Sequence, residues 1–149
     1  MADTKGSALT TDTALGSADY LIGVQDVGGT PATVKFLSKR VYQPRTGTTA
    51  SSATPTINVD NYEAYSITAL AANITSFTTN LSGTPVDCQR LLIRIKDDGT
   101  ARTIAWGTSF EDGSATLPTT TVLGKTLLVG LIYDAVDSKW ACEATGSRA

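Results

Sequence analysis

Three glutamates, Glu63, Glu111 and Glu143, and two aspartate groups, Asp97-Asp98 and Asp134/Asp137, are the side chains best suited to acid–base work or cation binding. A glycosidase requires two carboxyls facing each other across a groove. A calcium loop requires oxygen ligands at alternating positions around a glycine. The calcium-loop spacing is absent from this chain, and a facing carboxyl pair is a matter of spatial arrangement that sequence leaves open. The aspartates stand where tight turns use a carboxylate to cap their own backbone, and the glutamates read as solvated strand-edge and turn acceptors. Histidine is absent, which removes the commonest general acid–base and the commonest transition-metal ligand together. Serine and threonine are abundant, but no G-x-S-x-G elbow or S-x-x-K motif supplies a nucleophile. The two cysteines, Cys88 and Cys142, lack C-x-x-C spacing and have no histidine to complete a zinc site. A buried reduced thiol is the expected state of Cys142, and a disulfide to Cys88 is the alternative. Two sequons, at Asn73 and Asn80, would matter only in a secreted eukaryotic protein. The expectation is a non-enzyme with no catalytic residues, no metal and no cofactor.

Composition points the same way. A chain of 149 residues with 41% hydrophobic and 17% charged side chains can build one real core plus something smaller. Threonine and serine replace the missing charge, and both suit exposed strands and turns. A net charge of −2 offers no footprint for nucleic acid, which needs clustered positive charge. The basic residues read as scattered, the densest group being Lys35, Lys39, Arg40 and Arg45. No segment has the ~18 apolar residues of a membrane span, and the polar start, Met1 to Gly6, has no secretory h-region. The expected site of synthesis is the cytoplasm, with no membrane partner.

The elements are written as strands. Leu91–Lys96 and Ala101–Trp106 flank Asp97-Asp98-Gly99-Thr100. Leu127–Tyr133 and Lys139–Ala144 flank a turn near Asp134–Ser138. Each predicts a β-hairpin, because Asp-Gly tolerates the positive φ such turns need. Leu91, Ile93 and Ile95 alternate with Leu92, Arg94 and Lys96, which assigns the first set inward and the second to solvent. Ile67, Phe77, Ile104, Leu131 and Tyr133 complete the expected core, and Asn73–Asn80 is read as a further strand. Trp106 and Trp140 could line a sugar-binding surface, but packing in the core or between subunits is expected of rings this large. Six to eight closely spaced strands predict an all-β body, residues 54–149, as an antiparallel β-sandwich or barrel.

Residues 1–53 differ. Tyr20–Val24 and Ala32–Leu37 are strand candidates on either side of Gly28-Gly29-Thr30-Pro31, and Gln43–Ser52 reads as a small, hydroxylated linker. Two strands are marginal alone, so this extended arm is expected to pack on something else. Lys5, Leu9, Leu15, Tyr20, Leu21, Lys35, Phe36 and Arg40 are its candidate docking residues.

The series Thr54–Asp60, Ser66–Leu70, Asn80–Pro85, Leu92-Ile93, Ile95–Asp97, Gly99–Arg102, Ile104, Trp106-Gly107 and Ser138–Trp140 resembles a module of tailed-bacteriophage structural proteins. The opening Ala2–Lys5, Ser7–Thr10 and Ala18–Leu21 similarly resembles the attachment end of phage fibre and head-decoration proteins. The resemblance implies a virion component without catalytic residues, usually a homotrimer, fastened by an amino-terminal arm to the major capsid protein or another virion protein. The chain is too short for a fibre shaft and shows no internal repeat, which favours a capsid decoration (cement) or short head-fibre protein. A receptor-binding tail-fibre tip is the alternative, with a host-surface glycan as its partner.

Overall fold

The computed structural model describes residues 20–27, 30–37 and 44–149. The chain separates into two compact units, Met1–Gln43 and Pro44–Ala149. In the first unit, β1 (Tyr20–Val27) and β2 (Thr30–Leu37) pair antiparallel, with Val27 opposite Thr30. The boundary falls ten positions before the one expected at residues 53/54.

The second unit is all-β, with no helix among its described residues. Its strands are β3 (Thr46–Thr49), β4 (Ile57–Asn58), β5 (Ala64–Leu70), β6 (Leu81–Ser82), β7 (Arg90–Asp97), β8 (Phe110–Asp112), β9 (Thr126–Asp134) and β10 (Lys139–Arg148). The main sheet runs in the order β3-β5-β7-β9-β10-β8. It is mixed: β3, β5 and β7 are parallel neighbours, β7-β9 and β9-β10 are antiparallel, and β8 joins β10 in parallel.

Successive passes of the chain stack on one another. Ile57 pairs with Leu81 and Ile74 with Ile104, again in parallel, so the chain winds from the main sheet through two further faces and returns one strand along. The arrangement is solenoid-like, and the β9-β10 hairpin closes its open side by pairing antiparallel to β7. Side-chain amides tie consecutive turns: Asn73 Oδ1 accepts from the Thr103 N–H at 3.1 Å, and Asn80 Nδ2 donates to the Thr54 carbonyl at 2.9 Å. The two sequon asparagines therefore have structural work inside the solenoid.

These pairings correct several expectations. Parallel neighbours replace the purely antiparallel order expected of the sandwich or barrel. Residues 101–106 do not return beside 91–96; β7 lies between β5 and β9, and Ile104 bridges Ile74. Residues 73–80 contribute that one bridge and no extended strand. Thr46–Thr49, read within a linker, form an edge strand of the main sheet. The hairpin expected at 127–144 is present as β9-β10.

Alternation explains the core. Tyr65 and Ile67, Leu91, Ile93 and Ile95, Leu127, Val129 and Leu131, and Trp140 and Cys142 are buried on one face of the sheet. They meet Ile57, Val59, Leu70, Ile74, Phe77, Ile104, Trp106 and Phe110 from the other passes of the chain. Burying each large aliphatic side chain contributes about 1.5–3 kcal/mol relative to exposure. Phe77 stacks on Trp106 with centroids 4.6 Å apart, and Phe110 meets Phe77 edge-on and lies tilted against Trp106. The Trp106 indole N–H is satisfied by the Pro118 carbonyl at 2.9 Å. Both tryptophans are core residues. Tyr133 is only partly buried, packed against Trp140 at the margin.

The turn after β7 explains why the chain leaves the sheet. Asp97 is buried; its carboxylate accepts from the Gly99 N–H (3.1 Å), the Gly124 N–H (3.1 Å) and the Thr121 hydroxyl (3.0 Å). One side chain thus fixes both its own turn and the loop entering β9. Burial alone pushes this carboxyl upward, but the bonds from Gly124, Thr121 and Gly99, with the Arg102 charge nearby, outweigh it and hold the group below the ordinary aspartate range.

Ile93 is fully buried and Leu92 is 39% exposed. Ile93→Ala should therefore cost about 2–5 kcal/mol in chemical denaturation, and Leu92→Ala within about 0.5 kcal/mol. Gly107 has φ +87°, and a Cβ there would lie 2.5 Å from Thr78 Oγ1. Gly107→Ala should cost at least about 1 kcal/mol. Because the folded carboxyl of Asp97 is depressed, its contribution is complete above the unfolded value of about 3.9 and is lost as pH falls through the lower folded value. Thermal melts across the acid range should show Asp97→Asn less stable than the parent at neutral pH, with a shallower acid limb.

Candidate functional site

Of the seven carboxylates singled out in the sequence six are occupied, Asp97 as described above; Asp137 accepts no hydrogen bond among the described residues. Glu63 is bound by Arg45, Glu111 by Lys139 Nζ at 3.0 Å, and Glu143 accepts from the Ser114 hydroxyl at 2.6 Å. Asp98 pairs with Arg102 at 2.9 Å and caps Thr100, while Asp134 accepts from the Val136 N–H at 2.7 Å. Turn capping and strand-edge pairing account for each of the occupied ones. Among the described residues no group of three His, Cys, Asp or Glu side chains could hold a metal ion.

The cysteines sit in different environments. Cys142 is buried beneath the sheet, where burial pushes its thiol up; Cys88 is exposed, and the two are unpaired. Of the expected docking residues, Lys5, Leu9, Leu15 and Arg40 lie outside the described residues. Tyr20 and Leu21 fall on β1 and Lys35 and Phe36 on β2, with Leu21 opposite Phe36 and Ile22 opposite Lys35.

The concentration of unused chemistry is on the outer face of the main sheet. A groove of about 330 Å³ is lined by Thr46, Thr48, Ser66, Thr68, Thr126, Arg94, Lys96 and Arg148, with Gly47 and Ile67 contributing to its wall. The register builds it. Thr48, Ser66, Arg94 and Leu128 lie side by side across β3, β5, β7 and β9, and Lys96, Thr126 and Arg148 across β7, β9 and β10. Directly paired residues share a face, so this grid brings hydroxyls and cations together on the outer face.

Arg148 is there because of an irregularity. Trp140 and Cys142 point inward, and strict alternation would send every second residue after them inward too. The register shifts between Cys142 and Ala144, and the extra residue turns the following strand over, setting Arg148 beside the outward Thr126. At the opposite edge, Gly47 lets β3 lie close to Tyr65: a Cβ there would come within 2.7 Å of the ring.

Arg94 is half-buried and donates from Nε to Ser66 Oγ at 2.9 Å. That bond restrains the guanidinium of a side chain that lines the groove and leaves its terminal nitrogens without a hydrogen-bond partner among the described residues. Arg94, Lys96 and Arg148 have no salt-bridge partner among the described residues, and no carboxylate lines the groove. A wider cleft of about 520 Å³ at Arg45, Asp60, Glu63, Cys88 and Arg90 differs in that its Arg45 is already neutralised by Glu63.

Sequence reasoning placed Arg94 and Lys96 toward solvent and stopped there. The signal available was their alternation with core residues. The remainder depends on the parallel partner strands and on the register shift, which no local pattern announces. Thiol titration of the native protein should find one promptly reactive group, Cys88, and a second, Cys142, only on unfolding. Cys88→Ser should abolish the prompt phase and leave the late one.

No protein-family model, curated protein or solved structure matches this chain.

Proposed function

We propose that the protein is a bacteriophage virion component, a capsid decoration (cement) or short head-fibre protein that binds the assembled particle as a homotrimer and stabilises it. The observation that carries this reading is the division of the chain at Gln43/Pro44 into a small hairpin-bearing unit and a β-body with its own core. A two-stranded hairpin is marginal in water, so the first unit gains most by packing on sister chains or on the particle. The body needs no such support. The sequence resemblance to phage virion modules supplies the particle and the number three.

The mechanism is mechanical. A trimer straddling neighbouring capsomers adds contact area at joints that internal DNA pressure tends to open, and an interface of standard size buries about 1,600 Å². Binding to the assembled shell and not to its separated subunits shifts the equilibrium toward the shell. Three arms give avidity, so arms that are weak singly hold the trimer firmly. The second reading is a receptor-binding tail-fibre tip, and the outward basic groove of β3, β5, β7, β9 and β10 is the observation that favours it.

Sedimentation of the full chain at micromolar concentration should give a trimer; a monomer argues against the proposal. Residues 44–149 alone should unfold cooperatively yet fail to decorate virions, whereas decoration at full occupancy by that fragment would place docking on the body. Particles lacking the protein should release DNA at lower temperature and still adsorb to cells. Heat-resistant particles that fail to adsorb would select the tail-tip reading instead.

A further inference from the structure

We infer that the groove on the outer face of the main sheet is a binding site for an acidic saccharide, a sugar bearing a carboxylate or sulfate oxyanion. This inference does not rest on where the protein sits in a virion. The body carries eight basic and ten acidic side chains, yet the groove gathers three of the basic ones, Arg94, Lys96 and Arg148, and none of the acidic ones. The other basic residues of the body include Arg45, Arg102 and Lys139, each already paired with a carboxylate. Charge complementarity therefore selects an anion for this surface in an otherwise acidic body.

The geometry narrows the anion further. Arg94, pinned through Nε by Ser66 Oγ at 2.9 Å, presents a preorganised fork to an oxyanion, which accepts two parallel N–H bonds from it. Lys96 and Arg148 are both in register with Thr126, one on each side of it. Neighbouring strands lie about 4.8 Å apart, so these two long side chains reach the same ligand from opposite flanks. The hydroxyls of Thr46, Thr48, Ser66, Thr68 and Thr126 both donate and accept, as sugar hydroxyls require of their partners. The groove's volume lies at the small end of the range for small-molecule sites. No aromatic side chain lines it, which removes the stacking platform that single-stranded nucleic acid uses.

The test is calorimetric titration of the full chain with oligogalacturonate, a sulfated heparin-derived oligosaccharide, neutral maltotetraose, inorganic sulfate and an oligothymidylate of matched charge. The acidic saccharides should bind at least about tenfold more tightly than maltotetraose or sulfate and weaken as salt is raised. Arg94→Gln, Lys96→Gln and Arg148→Gln should each weaken binding by about tenfold, the loss of one charge-assisted bond. Arg90→Gln, in the separate cleft, should leave it unchanged. Ser66→Ala should weaken binding through the loosened Arg94 while the melting curve stays close to the parent's. Absence of acidic-saccharide binding, equal affinity for maltotetraose, tighter binding of the oligothymidylate, or indifference to Arg94→Gln in a folded protein would each overturn the inference. So would a lower oligomeric state of Arg94→Gln than of the parent on sedimentation, which would make the groove a contact between copies.

Discussion

Strand β7 is held on its two edges by different kinds of neighbour, and the body depends on both being satisfied. On one edge it pairs in parallel with β5, so Tyr65 and Ile67 stand beside Ile93 and Ile95; on the other it pairs antiparallel with β9, bringing Leu131, Val129 and Leu127 beside Leu91, Ile93 and Ile95. Three side chains of one strand thus join the wound part of the chain to the closing hairpin. Their burial is nearly complete, and their apolar area is the main force resisting separation of the two parts. Parallel pairing also requires long connections between neighbours, whose closure costs entropy before any contact repays it. The core must therefore be dense enough to offset three passes of irregular chain, and the Phe77, Trp106 and Phe110 cluster supplies the bulk where those passes meet.

What could be read from the residues was whatever is local. The β9-β10 hairpin announces itself because its partners are adjacent and its turn carries Asp134, which caps Val136. The inward set Leu91, Ile93 and Ile95 follows from a period of two that holds whatever the neighbours are. The first expected hairpin failed for a physical reason: Asp97-Asp98-Gly99 does make a tight turn, with Gly99 at φ +97°, but the same Asp97 also binds Thr121 and Gly124. Those distant partners draw the chain out of the sheet. Propensity cannot reveal that β5 pairs with a strand 28 residues later, as Ala64 does with Leu92. Thr46–Thr49 escaped notice because three threonines and a glycine without an apolar stripe look the same in a linker and in an edge strand.

The candidate site was less legible than the fold because every one of its parts is ordinary in sequence. Arg94 and Lys96 look like a solvent face, Arg148 like a polar tail, and Thr48 and Ser66 like filler. Only the register makes them neighbours, and the register shift after Cys142 decides whether Arg148 joins them or points toward the core. A one-residue change of phase turns a strand over, so the placement of a cation here is controlled by a backbone irregularity and not by the cation itself.

That construction has an energetic consequence. Like charges brought together on adjacent strands repel one another, weakly in water and more strongly where a groove wall excludes it. The rigid hydrogen-bonded sheet holds Arg94, Lys96 and Arg148 in place against this repulsion, and Ser66 fixes the half-buried guanidinium. An entering oxyanion relieves the repulsion and gains the cations' attraction with little reorganisation, since the scaffold has already met the ordering cost. A face of this kind is less stable empty than filled. The same arrangement on a flexible loop would relax its charges apart; on a sheet packed from beneath by Ile93, Ile95 and Val129 it cannot.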